Sequence, residues 1–446
     1  MGKFTDNIIQ AMKKIDPTSY YGRVSGVQGL FVEVSGILSP LAVGDRCNIV
    51  NNRGEKVVSE IVSFKNDKIL LMPYGSMDGI GVNCLVEIVD AKPVIYPHPS
   101  WLGRIVNAFG EAIDGKGPLI KGNKPYFIKS SPPPAQFRDR VNGKVDLGIK
   151  AVNAFLTICK GQRMGIFAGS GVGKSTLMSM MARHTNSDIS IIGLIGERGR
   201  EAKEFVEDVL GEDGLKKSVL VLATSDESPL LRRQAAYVTM AIAEYFRDEN
   251  KDVLCMMDSI TRFAMAQREI SLSVGEPPAS KGYTPSVFAE LPRLLERAGP
   301  GTGKGSITGL FTVLVDGDDH NEPVADAVRS ILDGHIVLDR SIAERNRYPA
   351  INILRSISRT MPDCDTDEEA ALVAKAKKYI SSYEDMAELI RLGAYKKGSS
   401  REVDEAIFYY PMIEEFLSQK KGEKFSLEEC YAMLAQILET PYVPEV

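Results

Sequence analysis

The 446-residue chain is poor in the residues that mark several large functional classes. Its four histidines, His98, His184, His320 and His335, stand at no metal-ligand spacing, which argues against a zinc site. The six cysteines (Cys47, Cys84, Cys159, Cys255, Cys364 and Cys430) contain no CxxC pair and read as reduced, mostly buried thiols of a cytoplasmic protein. No apolar run approaches the roughly 20 residues a membrane helix needs. Met1-Gly-Lys-Phe4 opens no signal-peptide apolar region, so a cytoplasmic location is expected. Positive charge is not in excess: 54 Lys and Arg against 59 Asp and Glu leave a net charge of −5, which offers no footprint for nucleic acid. There is no internal repeat and no low-complexity tail.

The length is more than one ordinary domain holds, so two or three are expected. Residues 3–15 carry Phe4, Ile8, Met12 and Ile15 at helical spacing, an amphipathic segment that either folds back on the body or binds a partner. Residues 21–95 change period. Short β-rich runs (30–34, 46–50, 57–64, 69–72, 84–89) alternate with turn-formers such as Asn51-Asn-Arg-Gly54 and Lys65-Asn-Asp67, the pattern of a small closed barrel. Pro132-Pro-Pro134 marks a connector. From about 145 to 355 strand candidates (164–167, 189–195, 218–222, 253–257, 307–315, 350–354) alternate with helical stretches such as 201–210 and 230–246. That predicts a parallel sheet under helices, with ligands at the C-terminal strand ends. The remainder is helical. Capping boxes are expected at Thr366–Glu369, Ser399–Glu402 and Ser426–Glu429, with Gly393 and Pro411 interrupting the runs between.

Within the alternating region, Ala168-Gly-Ser-Gly-Val-Gly-Lys174-Ser175 follows an apolar run and precedes a helix-forming one. That order turns a Walker A pattern into a phosphate cradle. Glycines let successive backbone N–H groups face an anion, and the new helix adds its positive end. The cradle would be made of Gly169, Ser170, Gly171, Val172 and Gly173, and would run through Lys174 and Ser175 to Thr176. Lys174 would reach the β/γ-phosphates and the Ser175 hydroxyl a Mg²⁺ ion. Ala168 stands where the pattern usually has its first glycine. The plain alternative is a glycine-rich turn, which the flanking context disfavours.

ATP hydrolysis also needs a carboxylate for the metal shell, a group to align water, and positive charge for the γ-phosphoryl. Asp258 closes the apolar run Val253–Met257, where a Walker B aspartate belongs, though it could instead cap the next helix. Glu197 ends the run Ile191–Gly196 and opens the charge cluster Glu197-Arg-Gly-Arg-Glu201. On an adjacent strand it would face the cradle mouth as the carboxylate that polarises water. Arg262 could face the same pocket or solvent. Arg359 lies just past the last strand candidate. Such an arginine is ordinarily a surface ion-pair residue unless a neighbouring subunit brings it to another's phosphate, where a finger is worth roughly 10³–10⁵ in rate. Ala298-Gly-Pro-Gly-Thr-Gly-Lys304-Gly305 imitates a cradle but lacks the hydroxyl and has the flanking order inverted, so it reads as a loop. The methionines at 178, 180, 181, 256 and 257 read as core.

Together these segments closely resemble the rotary-type ATPases, the family of the ATP synthase β subunit, and within it the flagellar branch of the type III protein-export ATPases. The residues carrying the likeness are Gly161–Gly165, Phe167–Ser175, Ile195–Glu201, Met257–Glu269, Gly275–Phe288, Asp333–Leu338, and Tyr348 through Arg359. The resemblance covers nearly all of the chain from about residue 21. It implies an α/β fold: a RecA-like P-loop ATPase core with an N-terminal β-barrel and a C-terminal helical domain, assembled as a homohexamer around a pore. The expected division is 1–20 partner-binding helix, 21–95 barrel, 96–365 ATPase domain and 366–446 helical domain. By position, Glu197 resembles the catalytic carboxylate, Arg198 and Arg262 the γ-phosphate contacts, Asp258 the Walker B residue and Arg359 an arginine finger acting in trans. Tyr348 takes the place of an adenine-stacking tyrosine, Glu201 that of a group behind the metal, and Gly275–Ser286 that of the loop facing the pore.

The resemblance further implies ATP and Mg²⁺ as cofactors and type III export of flagellar proteins at the inner face of the cytoplasmic membrane. Implied partners are a stator-like regulatory protein on the N-terminal helix, a coiled-coil central stalk, the export gate and substrate–chaperone complexes. Glu197 separates this from the non-catalytic ring subunits, which usually carry glutamine there. An RNA-translocating hexamer would want an aromatic, basic barrel, and residues 21–95 offer little of that. A virulence-type (injectisome) ATPase, or less readily an ATP synthase catalytic subunit, remains the alternative. Departures from the pattern are Asn346-Arg347, where Gly-His is common, and Asp339, where Ser is common.

Overall fold

Asn66 and Asp67, both at positive φ (49° and 59°), turn the chain between two strands of the first unit. A two-residue hairpin needs that left-handed pair, and Asn and Asp supply it at low cost. The structure, a computed structural model, describes residues 21–36, 40–89, 93–315, 322–440 and 442. The amphipathic segment expected over 1–20 lies outside these residues, as does His320. Six antiparallel strands, β1 (Tyr21–Gln28), β2 (Phe31–Ser35), β3 (Arg46–Val50), β4 (Lys56–Lys65), β5 (Lys68–Pro73) and β6 (Leu85–Val89), close into a barrel in the order β1-β2-β5-β4-β3-β6. Alternate residues fill it: Val24, Val32, Val34, Cys47, Ile49, Ile61, Leu71 and Val86 form one buried cluster. β1 was not among the expected strands because Gly22, Ser25 and Gly26 dilute its apolar pattern.

The barrel meets the next unit through buried charge. Glu60 on β4 accepts from Arg233 Nη2 at 2.6 Å and from Lys129 Nζ at 3.2 Å, and Tyr74 donates to Gln234 Oε1 at 2.7 Å. Burial works to raise the Glu60 carboxyl, but Arg233, Lys129 and the Tyr74 hydroxyl outweigh it and hold it at about 2.

The central sheet is built on β7 (Arg104–Val106), β8 (Arg163–Ala168), β9 (Ile189–Glu197), β10 (Ser218–Thr224), β11 (Asp252–Asp258), β12 (Ser306–Leu314), β13 (Gly334–Leu338) and β14 (Ile357–Ser358). Their spatial order is β14-β13-β8-β12-β11-β9-β10-β7. All neighbours pair in parallel except β13 and β14. Helices cover both faces, so β9 is buried from Ile189 through Gly196 and reads as a continuous apolar run. The helix Pro229–Asp248, capped by Ser228, packs on β9, β10 and β11.

Four expectations need correction. Residues 350–354 are not a strand: Ile351 makes one isolated bridge to Leu338, and the strand beside β8 is β13. Ser400, not Ser399, caps the helix Arg401–Leu417 by accepting from Val403 N, and that helix runs through Pro411 without a break. The boxes at Thr366–Glu369 and Ser426–Glu429 form as expected. Cys159 and Cys364 are joined in a disulfide rather than free, because the strand Ile158–Lys160 and the turn of helix Met361–Cys364 bring them together; Cys47, Cys84, Cys255 and Cys430 are thiols.

Candidate active site

Gly171 (φ 78°) and Gly173 (φ 92°) hold the cradle open in a left-handed conformation that L side chains rarely adopt. The helix Lys174–His184 starts directly after them with Gly173 as N-cap and no side-chain cap. Its first N–H groups are thus left for an anion. Ala168 is the last residue of β8, fully buried and paired with Leu314 and Leu338. Its backbone is extended, so nothing there requires glycine. Val172 is buried, while Ser170, Ser175 and Thr176 are exposed at the mouth. One contact to the cradle had no sequence signal: Arg340 Nη2 donates to the Ser170 carbonyl at 3.2 Å.

Three strands deliver the charged groups. The Lys174 ammonium is hydrogen-bonded to Asp258 Oδ1 at the end of β11, and lies 3.9 Å from Glu197 Oε1 at the end of β9. Thr312 on β12 donates to the same Asp258 oxygen at 2.7 Å. Ser259 caps the following helix by accepting from Arg262 N, which leaves the Asp258 carboxylate to the site. Glu197 is not on the strand next to the cradle, since β12 and β11 intervene. It reaches Lys174 because pairing with β10 slips at Gly196 (φ 69°), a bulge that re-aims the next side chain. Burial and the Asp258 charge push the Glu197 carboxyl up to about 7, with Lys174 opposing and Glu201 adding to the rise.

The rim holds the remaining candidates. Arg262 packs over Gly196, where an added Cβ would come 2.9 Å from Arg262 Cβ. Its Nε is buried without a hydrogen-bond partner. This unsatisfied donor sits at the bulge that carries Glu197, and a buried guanidinium nitrogen of this kind is suited to an anion. Arg198 points to solvent and pairs with Glu201 at 3.2 Å. The half-exposed Tyr348 ring lies against the cradle, 3.5 Å from where a Gly173 Cβ would sit. Arg359 is not brought to the site. Its N–H donates to Asp333 O, at the N-terminal end of β13, roughly 16 Å along the sheet from the cradle. Its side chain is exposed and has no ion-pair partner among the described residues. Among the described residues no three His, Cys, Asp or Glu are grouped to hold a metal alone. A divalent ion would therefore depend on Ser175, Asp258 and phosphate oxygens. No helix among them is long and apolar enough to cross a membrane.

A cradle, a lysine and a near-neutral carboxylic acid at the C-terminal edge of a parallel sheet make the chain a P-loop ATPase. Residues 148–358 match the ATP synthase alpha/beta family, nucleotide-binding domain, and residues 366–436 match the T3SS EscN ATPase C-terminal domain. The flagellum-specific ATP synthase of Caulobacter vibrioides is 56% identical over 442 residues, 98% of this chain and 100% of that protein. The Bacillus subtilis flagellum-specific ATP synthase is 48% identical, covering 97% of this chain and 98% of that protein. Among solved structures, the assembled ATPase EscN of the enteropathogenic E. coli type III secretion system superposes with a TM-score of 0.89 at 38% identity, covering 94% of this chain and 100% of that one. The same ATPase in complex with its central stalk EscO gives 0.86 at 38% identity, over the same shares of the two chains. The chain belongs to the ATP synthase alpha/beta family, among its flagellum-specific, type III export ATPases.

Proposed function

We propose that this chain hydrolyses ATP to energise export of flagellar proteins across the cytoplasmic membrane, as a ring-forming homohexamer. The observation that carries this reading is the split of its charged groups. Lys174, Asp258 and Glu197 converge at the cradle, while Arg359 stands exposed at the other end of the sheet. A site that Arg359 of its own chain does not reach, and an Arg359 with no site of its own, are complementary halves. Subunits arranged head to tail around a ring would complete each other.

On this reading the cradle amides from Gly169 to Thr176 bind the triphosphate, and Lys174 exchanges Asp258 for phosphate oxygens. Tyr348 stacks on the adenine. Glu197, poised near neutrality, orients water and accepts its proton. Arg262 and Arg198 take γ-phosphate oxygens, and Arg359 of the next subunit stabilises the charge that develops in the transition state. A bound Mg²⁺ would neutralise the phosphate oxygens, held by Ser175 and Asp258 with Glu201 behind them. The chain divides as 1–20, 21–95, 96–365 and 366–446, and sits at the inner face of the membrane. It engages a stator-like protein through 1–20, a coiled-coil stalk through the pore, the export gate and substrate–chaperone complexes. Flagellar export is favoured over injectisome export by 56% identity to a flagellar relative against 38% to EscN and 44%, over 77% of this chain, to a prototypical type III secretion ATPase of pathogenic bacteria.

Affinity capture of the tagged chain from its own cells tests the reading. Flagellar basal-body proteins in the eluate support it; injectisome or ATP synthase subunits in their place overturn it.

A further inference from the structure

Two departures from the family pattern, Asn346 and Arg347, immediately precede Tyr348. Asn346 takes φ 63°, the left-handed conformation that glycine gives elsewhere and that asparagine tolerates best among side-chain-bearing residues. Arg347 is different in kind. Its guanidinium is 8% exposed and turned inward. Nη2 donates to Ile351 O at 3.0 Å and Nη1 to Pro349 O at 3.4 Å, so it spans the loop that carries the Tyr348 ring. Nε lies 3.1 Å from Glu414 Oε2, on the C-terminal helix Arg401–Leu417, an ion pair whose geometry makes no hydrogen bond. The same loop has a second tie to that unit: Gln419 N donates to the Tyr348 carbonyl at 2.8 Å. Gln419 is itself buried, with its side chain bonded to Gly148 O and Lys150 N at the entry to the ATPase core. The Tyr348 carbonyl is therefore fastened to the segment just past the helix Arg401–Leu417, and the Arg347 side chain is paired with that helix itself, while the ring rests on the cradle.

We infer that Arg347 is a positioning residue that sets the Tyr348 ring for the nucleotide base and, through Glu414, ties occupancy of that base site to the helix Arg401–Leu417. The inference rests on reading Tyr348 as the base-stacking residue. The guanidinium is suited to the task because its planar fork donates to two carbonyls while its charge stays paired with a carboxylate, which a lysine ammonium on a flexible stem does less well. Breaking the pair from the buried side leaves Glu414 to water. Breaking it from the Glu414 side leaves a buried cation. The two variants therefore differ in stability but share the loss of the tie.

The test compares full-length wild type with Arg347→Met, Glu414→Gln, the double variant and Tyr348→Ala. The expected result is a roughly tenfold rise in KM for ATP in Arg347→Met and Glu414→Gln, with kcat within about threefold of wild type. The double variant should be no worse than Arg347→Met alone, the non-additivity of a shared contact. Hydrogen exchange gives the second readout. ADP should slow exchange in both Lys174–His184 and Arg401–Leu417 of wild type, whereas inorganic triphosphate, which has no base, should protect only the first. In Glu414→Gln, ADP should protect only the first as well. Unchanged KM in both single variants, or protection of 401–417 by triphosphate alone, overturns the inference. If Tyr348→Ala leaves KM unchanged, the base-stacking reading itself fails. A raised KM in Tyr348→Ala with wild-type behaviour of the Arg347 and Glu414 variants sinks the positioning role alone.

Discussion

The Thr312 hydroxyl donates to Asp258 Oδ1 at 2.7 Å, and that oxygen also accepts the Lys174 ammonium. One carboxylate oxygen is thus fixed from the strand beside the cradle before any nucleotide arrives. Thr312→Val keeps the shape and deletes the donor. We expect kcat to fall about tenfold, in line with one lost hydrogen bond to a charged group, with a higher Mg²⁺ concentration needed for half-maximal rate. Steady-state ATPase titrated with Mg²⁺ checks this; an unchanged magnesium requirement would refute the orienting role.

Glu197, with its carboxyl near 7, predicts both a rate and a stability dependence on pH. ATPase activity should fall as pH drops through about 7, as the base becomes protonated. Glu197→Gln should retain nucleotide binding while nearly abolishing turnover. Stability runs the other way. The folded chain holds this proton more tightly than the unfolded one, whose carboxyl has its ordinary value of 4.5, so the group destabilises the fold increasingly as pH rises from about 4.5 to 7. The Tm advantage of Glu197→Gln over wild type should grow across that window and level off above it. A Tm difference that is flat in pH, measured by scanning calorimetry, would contradict the shift.

At the barrel junction the sign is opposite. Glu60 is held at about 2, so its contribution is fully present above its ordinary 4.5 and is lost as pH falls towards 2. Glu60→Gln at neutral pH leaves Arg233 buried without its counter-charge and should cost about 3–5 kcal/mol. Denaturant titration reads this directly; a loss below about 1 kcal/mol would mean that the junction is not held by this pair.

Arg359 predicts complementation. Arg359→Ala should bind ATP yet lose on the order of 10³ in kcat. Mixing it with Lys174→Ala, itself inactive, should restore part of the activity, because some interfaces then join an intact cradle to an intact arginine. Wild-type specific activity should also rise with protein concentration. No rescue, with a rate independent of concentration, would point to a self-sufficient monomer.

Much of the site was legible because its residues close apolar runs. Asp258 and Glu197 end strands that are buried on both faces, and such strands announce themselves as unbroken hydrophobic stretches. Thr312 and Arg340 escaped notice for the converse reason: the first sits inside such a run, and the second on a short helix with ordinary charged neighbours. The segment 350–354 misled because Ile351 and Ile353 are both buried, which mimics a strand's alternation. Alternation reports burial, whereas a strand also needs a continuing backbone ladder, and here the ladder stops after one bridge, in which Ala350 O accepts from Asp339 N and Asn352 N donates to Val337 O. The disulfide was invisible because its two cysteines lie 205 positions apart and meet only through the tertiary fold.

Ala168 has a consequence for how such cradles are recognised. Its neighbours are strand residues, and the Val315 N–H donates to its carbonyl at 3.0 Å. Position 168 is thus a buried strand position between two leucines, so its constraint is packing in the sheet and not the left-handed backbone that the cradle glycines supply. A small side chain should be tolerated there without strain, whereas at Gly171 and Gly173 the positive φ strains any L side chain. A motif written with equal weight on every glycine therefore mixes two unlike constraints, and would pass over working sites that satisfy only the one the phosphate imposes.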